Sequence, residues 1–97
     1  MKRAIFNKYV DEICSEINMP RDSLFLKDRT TKYSNARFIL YNVCYNRPMT
    51  IMQIVEYMGD NGYKTTRQSV EHGIQKIYET KDPDVQDFIN HLTRKVK

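Results

Sequence analysis

A chain of 97 residues, 40% hydrophobic and 29% charged, has the balance of one soluble globular domain, taken to span 1–97, and not of a disordered chain. No apolar run approaches the roughly 20 residues that cross a bilayer, and the basic start Met1-Lys2-Arg3-Ala4-Ile5-Phe6 meets charge again at Lys8 and Asp11, so neither a membrane partner nor a signal peptide is expected. Three Gly and three Pro leave little room for an all-β design, and the net charge of +4 suits a polyanionic partner without proving one.

The first predicted element is an amphipathic helix over Arg3–Ile17, with Ile5, Phe6, Tyr9, Val10, Ile13 and Ile17 at helical spacing. Asn18-Met19-Pro20 stops it, because proline disfavours helix in the residue before it, and a short turn follows over Arg21–Phe25. Lys27–Asn35 is polar, basic and aperiodic, and is expected to be a loop. Ser34 is a plausible N-cap for the next helix. Its apolar positions Phe38, Ile39, Leu40, Tyr41, Val43 and Cys44 form a broad face, as in a central helix buried on several sides. Asn46-Arg47-Pro48 ends it. Thr50, with Gln53 three residues on, has capping-box spacing and opens a helix to Met58 whose apolar side is Ile51, Met52, Ile54, Val55 and Met58. Gly59-Asp60-Asn61-Gly62 supplies turn chemistry. Thr65 or Thr66 caps a helix to about Thr80, with the stripe Val70, Ile74, Ile77 and Tyr78 and with Gly73 allowing close approach. Asp82 as N-cap and Pro83 at the first helical position open the last helix, which buries Val85, Phe88, Ile89 and Leu92. The expected fold is all-α: a single five-helix domain containing a helix-turn-helix.

Charge is concentrated in the middle. From Lys27 to Arg67 there are seven cations (Lys27, Arg29, Lys32, Arg37, Arg47, Lys64, Arg67) and three anions (Asp28, Glu56, Asp60), so this stretch holds the whole net charge. A localised basic patch is the electrostatic footprint of a nucleic-acid binder. With Val70, Ile74 and Ile77 facing inward, Thr66, Arg67, Gln68, Ser69 and His72 are candidates for base contacts. Arg matches guanine and Gln adenine in two-point hydrogen bonding, each such pair worth about 1–3 kcal/mol of discrimination. Lys27, Arg29, Thr31, Lys32, Arg37, Lys64 and Thr65 are the candidate phosphate contacts, mixing charged and neutral donors. A solvated amphipathic face and a solvated linker are the plainer alternatives for the same residues.

No catalytic or metal constellation emerges. Gly59-Asp60-Asn61-Gly62-Tyr63-Lys64-Thr65 lacks P-loop spacing and has no preceding buried strand. Cys14, Cys44, His72 and His91 lack zinc-ligand spacing, and the two cysteines read as buried free thiols of a reducing cytosol. Ser69 and His72 lie one helical turn apart without an orienting acid. No enzyme activity, cofactor or small-molecule substrate is expected.

The order of elements, and above all Thr66-Arg67-Gln68-Ser69-Val70-Glu71-His72-Gly73-Ile74-Gln75-Lys76-Ile77, resembles the C-terminal DNA-binding domain of the bacterial replication initiator DnaA, a relative of the Trp repressor fold. Val70, His72, Lys76 and Ile77 match the family's signature Asp-His-Thr-Thr-Val-x-His-Ala-x-x-Lys-Ile, and Ser69 is a close substitute. Ser23-Leu24-Phe25-Leu26-Lys27-Asp28-Arg29 is similar to its Leu-rich turn and basic loop, Arg37 to one arginine at the start of its long helix, and Ile54 to the central Ile of its short helix. Thr66-Arg67-Gln68 stands where the family reads bases with Asp-His-Thr, and the turn is about four residues longer. The resemblance implies a double-stranded DNA partner, bound through loop and recognition helix in replication or transcription control, with the target sequence open. The family's ATPase domain has no counterpart in these residues, so no nucleotide switch is expected. The alternative is a protein-interaction module that keeps the fold without binding DNA, with Asp82, Asp84 and Asp87 facing a basic partner. RNA binding is a weaker third option. Monomer and homodimer both stay open. A cytoplasmic phage or plasmid accessory protein is the expected setting.

Overall fold

The protein is described by a computed structural model covering residues 2–27 and 30–96. Six α-helices form the fold: α1 (Lys2–Glu16), α2 (Arg21–Leu24), α3 (Thr31–Tyr45), α4 (Ile51–Asp60), α5 (Arg67–Glu79) and α6 (Pro83–Lys95), with no strand among the described residues. The all-α class is as expected. The sixth helix is the single turn α2, formed where the sequence suggested only a turn.

Helix α3 is the hub. It packs against α1, α2, α4, α5 and α6, and it buries Ala36, Arg37, Ile39, Leu40, Tyr41, Asn42, Val43 and Cys44. Helix α1 contributes Phe6, Tyr9, Val10 and Ile13 from one stripe. Each fully buried side chain of this kind contributes about 1.5–3 kcal/mol, and together they form one connected core. Helix α1 stops because Asn18 turns left-handed at φ 54, which lets the Met19 N–H reach the Cys14 carbonyl at 3.0 Å. Asparagine tolerates that conformation better than most residues, so Asn18 and not Pro20 makes the closing geometry.

The caps of α4, α5 and α6 follow the sequence. Thr50 Oγ1 accepts from the Gln53 N–H at 3.1 Å, and Gln53 Oε1 accepts from the Thr50 N–H at 2.9 Å. Thr66 rather than Thr65 caps α5, accepting from the Ser69 N–H at 3.1 Å. Asp82 caps α6 ahead of Pro83. Each such cap is worth about 1 kcal/mol.

Three expectations are corrected. The loop from Lys27 does not run to Asn35: α3 begins at Thr31, and Ser34 lies within its first turn instead of capping it. Thr31, Lys32 and Asn35 are exposed and Tyr33 and Ser34 only half-buried, so this turn carries no apolar periodicity to reveal it. Helix α4 continues through Gly59 and Asp60. The residue that ends it is Gly62, at φ 82, followed by the Tyr63 N–H bonding to the Met58 carbonyl at 3.0 Å. Met52 and Tyr78, both assigned to apolar stripes, are 58% exposed.

Helices α3 and α5 approach so closely at Gly73 that a Cβ there would lie 2.7 Å from Phe38 Cδ1 and 2.8 Å from Tyr41 Cδ2. The sequence suggested this role for Gly73. Helix α6 is tied to α1 by the Lys95–Glu12 ion pair at 3.4 Å, and to the end of α3 by Arg47 donating to the Val96 carbonyl. Cys14 and Cys44 are buried free thiols. No helix among the described residues is long and apolar enough to cross a membrane.

Candidate nucleic-acid interface

Helix α5 turns Val70, Gly73, Ile74 and Ile77 to the core. The same rotation leaves Thr66, Arg67, Gln68, Ser69 and His72 exposed, because positions one and two residues from a buried stripe project to other sides of a 3.6-residue helix. All five candidate base-reading residues therefore stand on the surface. Arg67 Nε donates to Glu71 Oε1 at 2.9 Å, one turn along the helix. The Ser69 hydroxyl accepts from the Thr66 hydroxyl at 3.1 Å. The His72 ring meets the Phe38 ring edge-on, with centroids 6.0 Å apart.

Beside this turn lies a cleft of about 620 Å³ between the start of α3, residues 61–66 and the first half of α5. Thr66, Gln68, Ser69 and His72 line it from one side, and Lys27, Arg37, Lys64 and Thr65 from the other. Eight candidates separated by up to 45 positions thus converge on one surface. Arg67 lies outside the cleft. Thr31 and Lys32 are exposed on the first turn of α3, and Arg29 lies outside the described residues.

The cations are not equivalent. Arg37 is only 4% exposed. Its Nη1 donates to the Leu24 and Leu26 carbonyls, at 3.1 Å each, and its guanidinium lies 5.0 Å from the centre of the Tyr63 ring. It holds the end of α2, where helix carbonyls lack internal partners. Lys27 sits over the same Tyr63 ring at 4.1 Å and donates to the Lys64 carbonyl. Tyr63 thereby pins the α4–α5 turn to the α2–α3 connection and to α3 through one cation–π contact each. Arg47 belongs to the opposite tie with Val96 and Tyr9. Lys32 and Lys64 make no ion pair with any described residue. A charge total along the chain includes structural and reaching cations alike, and only the fold separates them.

Sequence reasoning missed the aromatic floor made by Phe38, Tyr41 and Tyr63. Tyr63, placed between a left-handed glycine and Lys64, was the available signal. Burial pushes the Tyr41 phenol well above its ordinary value, the neighbouring Tyr63 adding to this and a hydrogen bond with Thr65 partly opposing it. Tyr41 is therefore a neutral part of the floor. Among the described residues no group of three or more His, Cys, Asp or Glu side chains is placed to hold a metal ion. Comparisons with known protein families, with curated proteins and with solved structures return no match to this chain.

Proposed function

We propose that this protein binds double-stranded DNA, with α4, residues 61–66 and α5 acting as a helix-turn-helix whose second helix enters the major groove. The observation that carries the reading is the first turn of α5: Arg67, Gln68 and Ser69 stand exposed at a capped helix N-terminus, with Lys64 just ahead of it in the chain and Lys32 exposed on the first turn of α3. A groove about 12 Å wide admits a helix, the leading turn of a recognition helix reaches base edges, and helix N-terminal N–H groups favour phosphate. Lys32 and Lys64 supply phosphate contacts, while Lys27, Arg37 and Tyr63 hold the turn that presents α5. The likeness of Val70, His72, Lys76 and Ile77 to the DnaA-type signature supports the same docking, in replication or transcription control, with no catalytic step.

Fluorescence anisotropy with labelled mixed-sequence duplexes at two salt concentrations tests this. Binding is expected in the micromolar range at low salt, with log affinity falling by about 0.9 per neutralised phosphate for each log unit of salt. Lys32→Ala weakens all duplexes alike, whereas Arg67→Ala and Gln68→Ala flatten sequence preference on duplexes selected from a random pool. Absence of binding at low salt ends the proposal. Exposed Asp82, Asp84 and Asp87 around the start of α6 favour a second reading, a protein partner with a basic surface, which size-exclusion mixing distinguishes.

A further inference from the structure

A convex helix fills a major groove, but the cleft beside α5 is concave and duplex DNA must offer something projecting to fill it. An unstacked base projects from a duplex far enough to enter such a cleft. The cleft has an aromatic floor, with Phe38 half-exposed on it and His72 standing edge-on beside it. Its volume of about 620 Å³ falls in the usual range of clefts that hold small molecules, about 300–1,000 Å³. Gln68 contributes an amide with both donor and acceptor at the wall, and Lys64 a cation.

We infer that this cleft holds one unstacked nucleobase, with its ring against Phe38, its polar edge toward Gln68 and its phosphate toward Lys64. This rests on the DNA-binding reading and deepens it: the preferred partner is DNA that already carries an unpaired base. Aromatic stacking rewards any base whatever its sequence, and extrusion costs least where the base has no pairing partner. Floor, amide wall and cation together match a planar heteroaromatic ring with an anionic tail. That chemistry is shared by an extrahelical base and a free nucleotide.

The test measures anisotropy for a fully paired duplex and for the same duplex with one extra unpaired adenine, and intrinsic tyrosine fluorescence on adding dAMP. The unpaired base is expected to tighten binding about tenfold. Ser34→Leu, which fills the cleft from α3, abolishes that tightening and leaves the paired duplex bound as before. Phe38→Leu keeps the cleft open but removes the stacking ring, and also abolishes the tightening; circular dichroism confirms that both variants are folded. Equal affinity for the two duplexes overturns the inference while leaving duplex binding intact, as does a tightening that survives both substitutions. If neither duplex binds, the DNA reading fails, and dAMP decides: a saturable tyrosine response lost in Ser34→Leu supports the cleft as a free-nucleotide site, and no response overturns it.

Discussion

Helix α5 combines two regions with opposite demands. Its middle, at Gly73, lies so close to α3 that one added carbon would meet two aromatic rings. Its first turn touches little and presents Arg67, Gln68 and Ser69 to solvent. The contrast teaches that the candidate interface is set apart from the packing: the seam at Gly73 fixes where α5 lies, so the exposed turn can be polar while contributing little to stability beyond its cap. Substitutions in the seam should therefore change folding, and substitutions in the first turn should change binding alone.

The largest effect is expected from Gly73→Val. Its Cβ would start 2.7 Å from Phe38 and 2.8 Å from Tyr41, and its branched methyls crowd the seam further. Overpacking of a dense core costs about 1–3 kcal/mol, and two rings struck at once place this variant near 3 kcal/mol in urea unfolding. A Gly73→Val protein as stable as the parent would mean that α5 is free to shift, and the division between seam and turn would dissolve.

Arg37→Met comes next. It keeps much of the volume but removes the donors to the Leu24 and Leu26 carbonyls. An orphaned buried carbonyl costs about 1–3 kcal/mol. Leu26 is exposed enough for water to replace part of the loss, so about 2 kcal/mol of destabilisation is expected from chemical denaturation. Should Arg37→Met instead lower DNA affinity at unchanged stability, the residue belongs to the outer region after all.

These two positions show how far the sequence was legible. The capping residues Thr50, Gln53, Thr66 and Asp82 act within a few residues of themselves, and their helices start as the pattern says. Gly73 was visible as a small residue in an apolar stripe. Arg37 was not, because the carbonyls that draw it inside lie 11 and 13 residues upstream, and no local pattern encodes that distance in space. The first turn of α3 was hidden for the opposite reason: it is a helix without a core-facing stripe. For the site, local periodicity identified the exposed side of α5, whereas the aromatic floor needed α3 and the 61–66 turn brought together.

A smaller effect comes from pH. Burial holds the Cys44 thiol and the Tyr41 phenol above their ordinary values of 9.0 and 10.0. The unfolded chain then ionises first, so the contribution is fully present below the ordinary values and is lost as pH rises through the window above them. Stability is expected to fall as pH rises above about 9 for the thiol and above about 10 for the phenol, by at most about 1.4 kcal/mol per pH unit for each group. Cys44→Ala removes the thiol's share and makes the decline shallower. A decline equally steep in that variant would assign the effect elsewhere than the α3 interior.

The smallest stability change, and the sharpest division between the two regions, is expected from Glu71→Gln. Glu71 pairs with Arg67 one turn away at 2.9 Å, with both side chains largely exposed. Such i,i+4 pairs contribute about 0.2–0.5 kcal/mol, less when the cation precedes the anion, so unfolding should barely move. DNA affinity should rise. The substitution removes a negative charge from the face proposed to meet phosphate and releases the Arg67 guanidinium from its intramolecular partner, and every further phosphate that is neutralised steepens the salt dependence by about 0.9. If Glu71→Gln weakens DNA binding instead, Glu71 is itself a base contact, accepting from cytosine as carboxylates do, or it orients Arg67 so that loss of the pair outweighs the relief of charge repulsion. Arg67→Ala in the Glu71→Gln background separates those two outcomes: an orienting carboxylate leaves the double variant no weaker than Arg67→Ala alone, whereas a base-contacting carboxylate makes the two losses add.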